Sequence, residues 1–266
     1  LRETSIFMRY FLHFAYQGFN FRGWQQQPGE VRTVQGVMEG ILQRILKHEI
    51  SLVGCGRTDA QVHASQYFAH FDTPEELRPD FKFILNKNLP PTISIFDVIP
   101  VHPRAHARYD ATDRQYDYLL HTRKQAFLGE LSALYLQDAP NIARMQTAAA
   151  QLLKFEDFQA YCLTPDRHNT TICHLRQVRI FANPDRTRIR LQFAANRFLR
   201  GMIRILVYRL LEVGWGQITE EEFLRPLREH DPPRPLRSAY PEGLYLSSVT
   251  YPYIEKPPRV QLNFEE

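Results

Sequence analysis

Cysteine is scarce in this chain. Among 266 residues there are three, Cys55, Cys162 and Cys173, and none forms a CxxC pair. An odd, scattered set argues against a disulfide scaffold and a thiolate zinc centre, and it points to a reducing, cytoplasmic setting. Long hydrophobic runs are missing as well. No stretch reaches the roughly 20 apolar residues of a bilayer-spanning helix, so no membrane association is expected. The opening LRETSIFMRYFL lacks the layout of a secretory signal. No segment is low-complexity, and the 18 prolines fall mostly in loops. Neither sign of charge dominates: 33 Lys and Arg against 29 Asp and Glu leave a net +4, with a pI near 9.0. That small excess fits an acidic partner such as nucleic acid, and fits a slightly basic cytosolic protein equally well.

Nucleotide and metal motifs are also absent. There is no Walker loop, and Gly54-Cys55-Gly56 lacks the third glycine of a dinucleotide turn. There is no GxSxG elbow. His102 and His106 are four apart, but Pro103 and the loop setting argue against a helical metal pair. The expected chemistry needs neither metal nor nucleotide.

What is present is a hydrophobic fraction of 44%, enough to build one large domain or two small ones. Aromatic and β-branched residues from Ile6 to Tyr16 predict a strand. Thr33 predicts the cap of a helix from Val34 to His48, with Val34, Val37, Ile41 and Ile45 on one face. Strands are expected at Glu49 to Val53, Ser65 to Phe71 and Ile93 to Val101, with a short helix from Pro79 to Lys87 between the last two. This β-α-β-β-α-β order is the ferredoxin-like split unit. The second half repeats it. Strands are expected at Gln115 to Thr122, Cys173 to Phe181, Thr187 to Ala194 and Leu244 to Tyr251. Helices are expected at Ile142 to Lys154 and Phe198 to Val213. Thr219 to Leu227 adds a helix with the Thr219 and Glu222 spacing of a capping box. The fold class expected is α+β, two tandem ferredoxin-like units with a mainly antiparallel sheet and a central cleft as the natural site. The domains expected are 1–104, 105–252 and a tail at 253–266.

One segment invites chemistry. Gly54-Cys55-Gly56-Arg57-Thr58-Asp59 directly follows an expected strand, and its glycines allow a tight turn and a close ligand. Arg57 and Asp59 lie two apart, so in extended geometry they point the same way. A carboxylate beside a guanidinium stays ionised even when partly desolvated, as a nucleophile or general base requires. On chemistry alone, a structural Arg57–Asp59 pair bracing a loop is the commoner outcome.

The wider pattern changes that weighting. GRTDAQVHA, residues 56–64, resembles the GRTDAGVHA signature of the tRNA pseudouridine synthase A (TruA) family. The run from Tyr16 to Gln27 resembles that family's YDGTxFxGWQxQ, and Thr33-Val34-Gln35 its TVQ. Leu85-Asn86 with Leu89-Pro90 matches LNxxLP. His106-Ala107-Arg108 continues through Ala111, Arg114, Tyr116 and Tyr118 like HARxxAxxRxYxY. Asp157-Phe158, the NRFLRGMIR of Asn196 to Arg204, Val213 to Gly216 and Pro241 to Leu244 match later motifs.

The resemblance implies an isomerase of the pseudouridine synthase fold. It would convert uridine to pseudouridine in the anticodon stem-loop of tRNA, at positions 38, 39 and/or 40, without a cofactor. It implies a cytoplasmic homodimer. Asp59 matches the catalytic aspartate, as nucleophile or base. Tyr116 matches the tyrosine that contacts the target base, while a buried structural role suits Tyr118 better. Arg204 matches an arginine that pairs with the catalytic aspartate. Arg57 is expected to position the RNA, and Arg197 and Arg200, with Arg209, to meet phosphate or simply to be solvated. Four positions depart from the pattern. Gln61 replaces a glycine, Gln17 an aspartate, Ala105 a phenylalanine, and Tyr208 a small residue four after Arg204. These leave open a synthase for another RNA, or an RNA-binding homologue without activity.

Overall fold

Alternating aromatic and aliphatic residues build the first strand, β1 (Met8–Tyr16), of a computed structural model that describes residues 7–260 and 262. The elements after it are α1 (Val34–Leu46), β2 (Val53–Gly54), β3 (His63–Thr73), α2 (Phe81–Asn88), β4 (Ile93–Val101), β5 (Asp113–His121), β6 (Ala133–Leu134), α3 (Ile142–Gln151), β7 (Leu175–Ala182), β8 (Arg188–Ala195), α4 (Met202–Gly214), α5 (Glu220–Glu229) and β9 (Leu244–Thr250). The chain is α+β. The described residues hold nine strands, mixed but mostly antiparallel, and five α-helices. The expected start of β1 at Ile6, and residues 261 and 263–266 of the expected tail, lie outside the described residues.

Backbone proximity divides the chain into two units, Leu1–Thr112 with Leu246–Gln261, and Asp113–Tyr245 with Leu262–Glu266. In the first, β1 lies antiparallel between β3 and β4, and β2 pairs with β3. Phe14, Tyr16, Trp24 and Tyr67 pack ring against ring, with Trp24 and Tyr67 centroids 4.4 Å apart. The other face of β1 is covered by the C-terminal segment. Tyr251 packs edge-on to Phe11 and Phe68, and Gln66 holds that segment through Val249 N–H (2.9 Å) and the Lys256 carbonyl (2.9 Å). Burial on both faces explains why β1 is almost continuously apolar.

Thr33 caps α1 as expected, its hydroxyl accepting from Gly36 N–H at 3.2 Å. Two details of this region differ from expectation. The strand foreseen at Glu49 to Val53 shrinks to Val53–Gly54. The backbone of Leu52 is taken by side chains instead: its N–H donates to Glu39 Oε1 (2.8 Å) and its carbonyl accepts from Gln35 Nε2 (3.1 Å). For the same reason the buried stripe of α1 is Val34, Gln35, Met38, Glu39, Ile41 and Leu42, while Val37 and Ile45 are half-buried. Asn86 of α2 binds both backbone groups of Ile95 in β4, at 2.9 and 2.8 Å, which ties helix to strand.

In the second unit β8 lies antiparallel between β5 and β7, and β6 runs parallel to β5. The β7–β8 turn runs from Asn183 to Arg188, closed by Asn183 N–H to the Arg188 carbonyl at 3.1 Å. Helix α3 packs on α4 and β7. It ends at Gln151 and continues as a 3-10 turn to Lys154. The capping box of Thr219 and Glu222 forms at α5. The helix expected from Phe198 begins only at Met202, because Gly201 takes a positive φ of 74°. The preceding turn is held by Asn196, whose Oδ1 accepts from Arg197 N–H (2.9 Å) and His174 N–H (2.9 Å).

Candidate active site

The segment around Asp59 is a loop clamped from three sides. Cys55 N–H donates to the Phe68 carbonyl at 2.8 Å, and Tyr67 hydroxyl donates to the Gly56 carbonyl at 2.6 Å. Tyr16 and Thr58 share a buried hydroxyl–hydroxyl bond of 2.8 Å. Trp24 N–H donates to the Thr58 carbonyl (3.1 Å), and Gln61 N–H to the Phe21 carbonyl (3.1 Å). The YQGFNFRGW stretch is therefore the second wall of the loop. Gly23 is required there: its φ is 92°, and a Cβ would stand 2.6 Å from the Thr58 carbonyl oxygen. Val62 N–H closes the turn on the Asp59 carbonyl at 3.2 Å. With its backbone so engaged, Asp59 is held in a half-buried position at a turn.

Gln61 sits in that turn with φ 67°. The position does require positive φ, so the glutamine carries the backbone cost that glycine escapes.

Arg57 is exposed, and its Nε donates to Gln25 Oε1 at 3.1 Å. Gln25 begins a relay into the core. Its Nε2 donates to Gln35 Oε1 (2.9 Å), and Gln35 Nε2 donates to Glu39 Oε1 (3.0 Å). Gln35 and Glu39 are each only 8% exposed. Buried polar groups persist only when hydrogen-bonded, and here they bond one another and the Leu52 backbone. The signal for this relay, Gln35 in TVQ and Gln25 after Trp24, is visible in the sequence. Glu39 carries none.

In the second unit, Tyr116 lies on β5 with its ring edge-on to Phe198, centroids 5.2 Å apart. It is half-buried, whereas Tyr118 is fully buried and donates to the Tyr240 carbonyl at 2.9 Å. Burial pushes the Tyr118 phenol well above its usual pKa, which suits the structural role. Arg204, half-buried on the first turn of α4, donates its Nε to the Ala239 carbonyl at 2.7 Å. The carbonyl of Arg204 in turn accepts from Ala239 N–H at 2.9 Å. Arg197 is half-buried and Arg200 exposed, both on the turn before α4. Arg209 stands apart from them: it pairs with Glu212 at 2.6 Å, each side chain 13% exposed, and so braces α4 internally. Tyr208, half-buried on α4, accepts at its hydroxyl from Arg237 Nη1 at 3.1 Å. His102 and His106 spend their Nδ1 atoms on neighbouring backbone N–H groups.

A model of the tRNA pseudouridine synthase family matches residues 13–110 and 148–252. The chain belongs to the tRNA pseudouridine synthase family. It is 37% identical over 247 residues to the tRNA pseudouridine synthase A of Parabacteroides distasonis, covering 92% of this chain and 96% of that one. With the tRNA pseudouridine synthase A of Bacteroides thetaiotaomicron it shares 37% over 249 residues, 92% and 91% of the two chains. That of Chlorobaculum tepidum is 36% identical over 244 residues, 90% and 96%. Membership of this pseudouridine synthase family makes the chain an isomerase. No described helix is long and apolar enough to cross a membrane.

Proposed function

We propose that this chain isomerises uridine to pseudouridine at positions 38, 39 and/or 40 of the tRNA anticodon stem-loop, in the cytoplasm and as a homodimer. The observation that carries this reading is the Asp59 turn, clamped by Tyr16, Trp24 and Tyr67 in a chain of this family. The strand order β4-β1-β3, with β2 on β3, supports a split β-α-β unit around that turn. An RNA-binding cleft belongs to the same proposal.

The reaction breaks the bond between uracil N1 and ribose C1′, turns the base, joins C5 to C1′ and releases the C5 proton while N1 gains one. Atoms and electrons balance within the uridine, so no redox partner is called for. Asp59 supplies the carboxylate that acts on the ribose. Tyr116 meets the flipped uracil through its ring and hydroxyl, and Arg204 balances the carboxylate's charge. Arg57, Arg197 and Arg200 grip the RNA backbone. Flipping a paired uridine costs a few kcal/mol, which those phosphate contacts offset.

The test is incubation with unmodified tRNA followed by pseudouridine mapping. Product at the expected positions, lost in Asp59→Ala while tRNA is still bound, is the expected result. Folded protein that binds tRNA and makes no pseudouridine overturns it. A second reading, a synthase for another RNA, is favoured by Gln61 in the catalytic turn and by Tyr208 on α4. Transcriptome-wide mapping with and without the gene separates the two.

A further inference from the structure

The loop between β5 and β6 presents Phe127 almost entirely to solvent, 95% exposed. This loop is nonetheless well bonded. Leu128 N–H donates to the Gln125 carbonyl (3.2 Å), and Leu131 and Ser132 N–H both donate to the Leu128 carbonyl (3.0 Å each). Its base is fastened by Thr122 N–H to the Thr187 carbonyl (3.0 Å), by Arg188 Nη2 to Gln125 Oε1 (3.2 Å) and by His121 Nδ1 with Ser132 Oγ (3.0 Å). The ring is thus held out by a hydrogen-bonded turn.

Its surroundings are basic. Arg123 and Lys124 precede it, both exposed, and Arg186 is exposed on the β7–β8 turn whose Thr187 fastens the loop. The acidic groups nearby are Asp185, which lies 3.8 Å from Arg123 with both side chains more than half exposed, and Glu130. An exposed pair of that kind is weak and leaves Arg123 able to exchange partners.

We propose that Phe127 stacks on an unpaired base of the tRNA substrate, with Arg123 and Lys124 on the adjoining phosphates. The proposal rests on the pseudouridine synthase reading and adds a contact to it. Size decides against a second copy of the chain as occupant. A stable protein interface removes about 800 Å² from each partner, whereas one phenylalanine offers about 200 Å². Ala126 is the exposed apolar side chain beside it, and Leu128 is half-buried. A single ring on a single base needs no larger patch, and cations beside an aromatic ring are the usual pattern for single-stranded nucleic acid.

The full chain is tested with unmodified tRNA. Phe127→Ala is expected to weaken tRNA binding about tenfold, with an unchanged single-turnover rate at saturating tRNA and an unchanged melting temperature. Phe127→Trp keeps the affinity, and tRNA quenches its emission beyond the background of Trp24 and Trp215. Replacing Arg123 and Lys124 together by Ala lowers the slope of log Kd against log salt by about 1.5. Binding by Phe127→Ala within twofold of wild type, where wild type makes pseudouridine, overturns the stack. So does a smaller sedimenting species for Phe127→Ala, which would make the ring a contact between copies. Wild-type protein that makes no pseudouridine in any tRNA overturns the function reading, and this proposal with it.

Discussion

Gln35 donates to Glu39 across 3.0 Å, one helical turn along α1, and the same carboxylate oxygen receives the Leu52 N–H at 2.8 Å. Through Gln25, this buried pair is joined to Arg57 on the turn that holds Asp59. A polar couple inside a helix face thereby sets where the Asp59 segment begins.

Glu39→Ala is expected to destabilise the protein by about 2 kcal/mol, because the Leu52 N–H loses its acceptor in a buried place. Urea unfolding measures this, with the m-value unchanged. A loss below about 0.5 kcal/mol, the level of an ordinary surface change, would refute the role given to Glu39.

Gln61 has φ 67°. Left-handed backbone costs an L-residue about 1–2 kcal/mol, and part of any relief is returned through the freer unfolded chain of glycine. Gln61→Gly is expected to raise stability by up to about 1 kcal/mol, and Gln61→Val to lower it, since β-branched side chains tolerate this region least. Thermal melts of the two variants should move in opposite directions. Matching shifts would show that the turn rearranges.

His70 is 4% exposed, stacks on Phe11 and accepts the Ala107 N–H at its Nδ1, 3.1 Å away. Burial and the nearby Arg9 push its pKa down to about 4 from 6.5. The folded state thus resists protonation that the unfolded state accepts. The contribution is complete above pH 6.5 and is lost as pH falls from 6.5 towards 4, by about 3 kcal/mol in all. His13, also buried and lowered, adds in the same direction. Unfolding free energies between pH 7 and 4 should fall with a slope that His70→Asn reduces by one proton. An identical slope in the variant would remove His70 as the cause.

Asp117, 1% exposed, holds Arg190 at 2.6 Å and Gln192 at 3.1 Å on the β5–β8 ladder. Asp117→Ala strands the guanidinium, 17% exposed, without its anion. A loss of about 3–5 kcal/mol is expected, read by denaturant unfolding. The double change Asp117→Leu with Arg190→Met should recover much of it. No recovery would locate the loss elsewhere.

The most legible elements have strong local signals. The bounds expected for β4 are those observed, Ile93–Val101, and Thr33 and Thr219 are recognisable as caps. The turn proposed as catalytic is legible because Gly54, Gly56, Arg57 and Asp59 stand in one short run. Helix α4 is expected four residues too early because Phe198 and Leu199 continue its apolar pattern, and the positive φ of Gly201 stops the helix before them. Arg209 looks like its neighbours Arg197 and Arg200 in the sequence, and its pairing with Glu212 separates it from them.

By itself, the sequence determined the family, the order of the helices and that of the described strands other than β6. It also set the loop that holds Asp59. Caps, alternation and glycine-rich turns act between residues close in the chain, so a linear reading finds them. Only the tertiary structure decided that Gln35 and Glu39 are buried, that Leu52 bonds side chains rather than a strand, and that Gln61 has positive φ. These outcomes depend on partners that no local pattern brings together, such as Leu52 with Glu39 and Gln61 with Phe21. A polar side chain on a helix can be buried at little cost once such a partner exists, and the partner becomes visible only when the chain is folded.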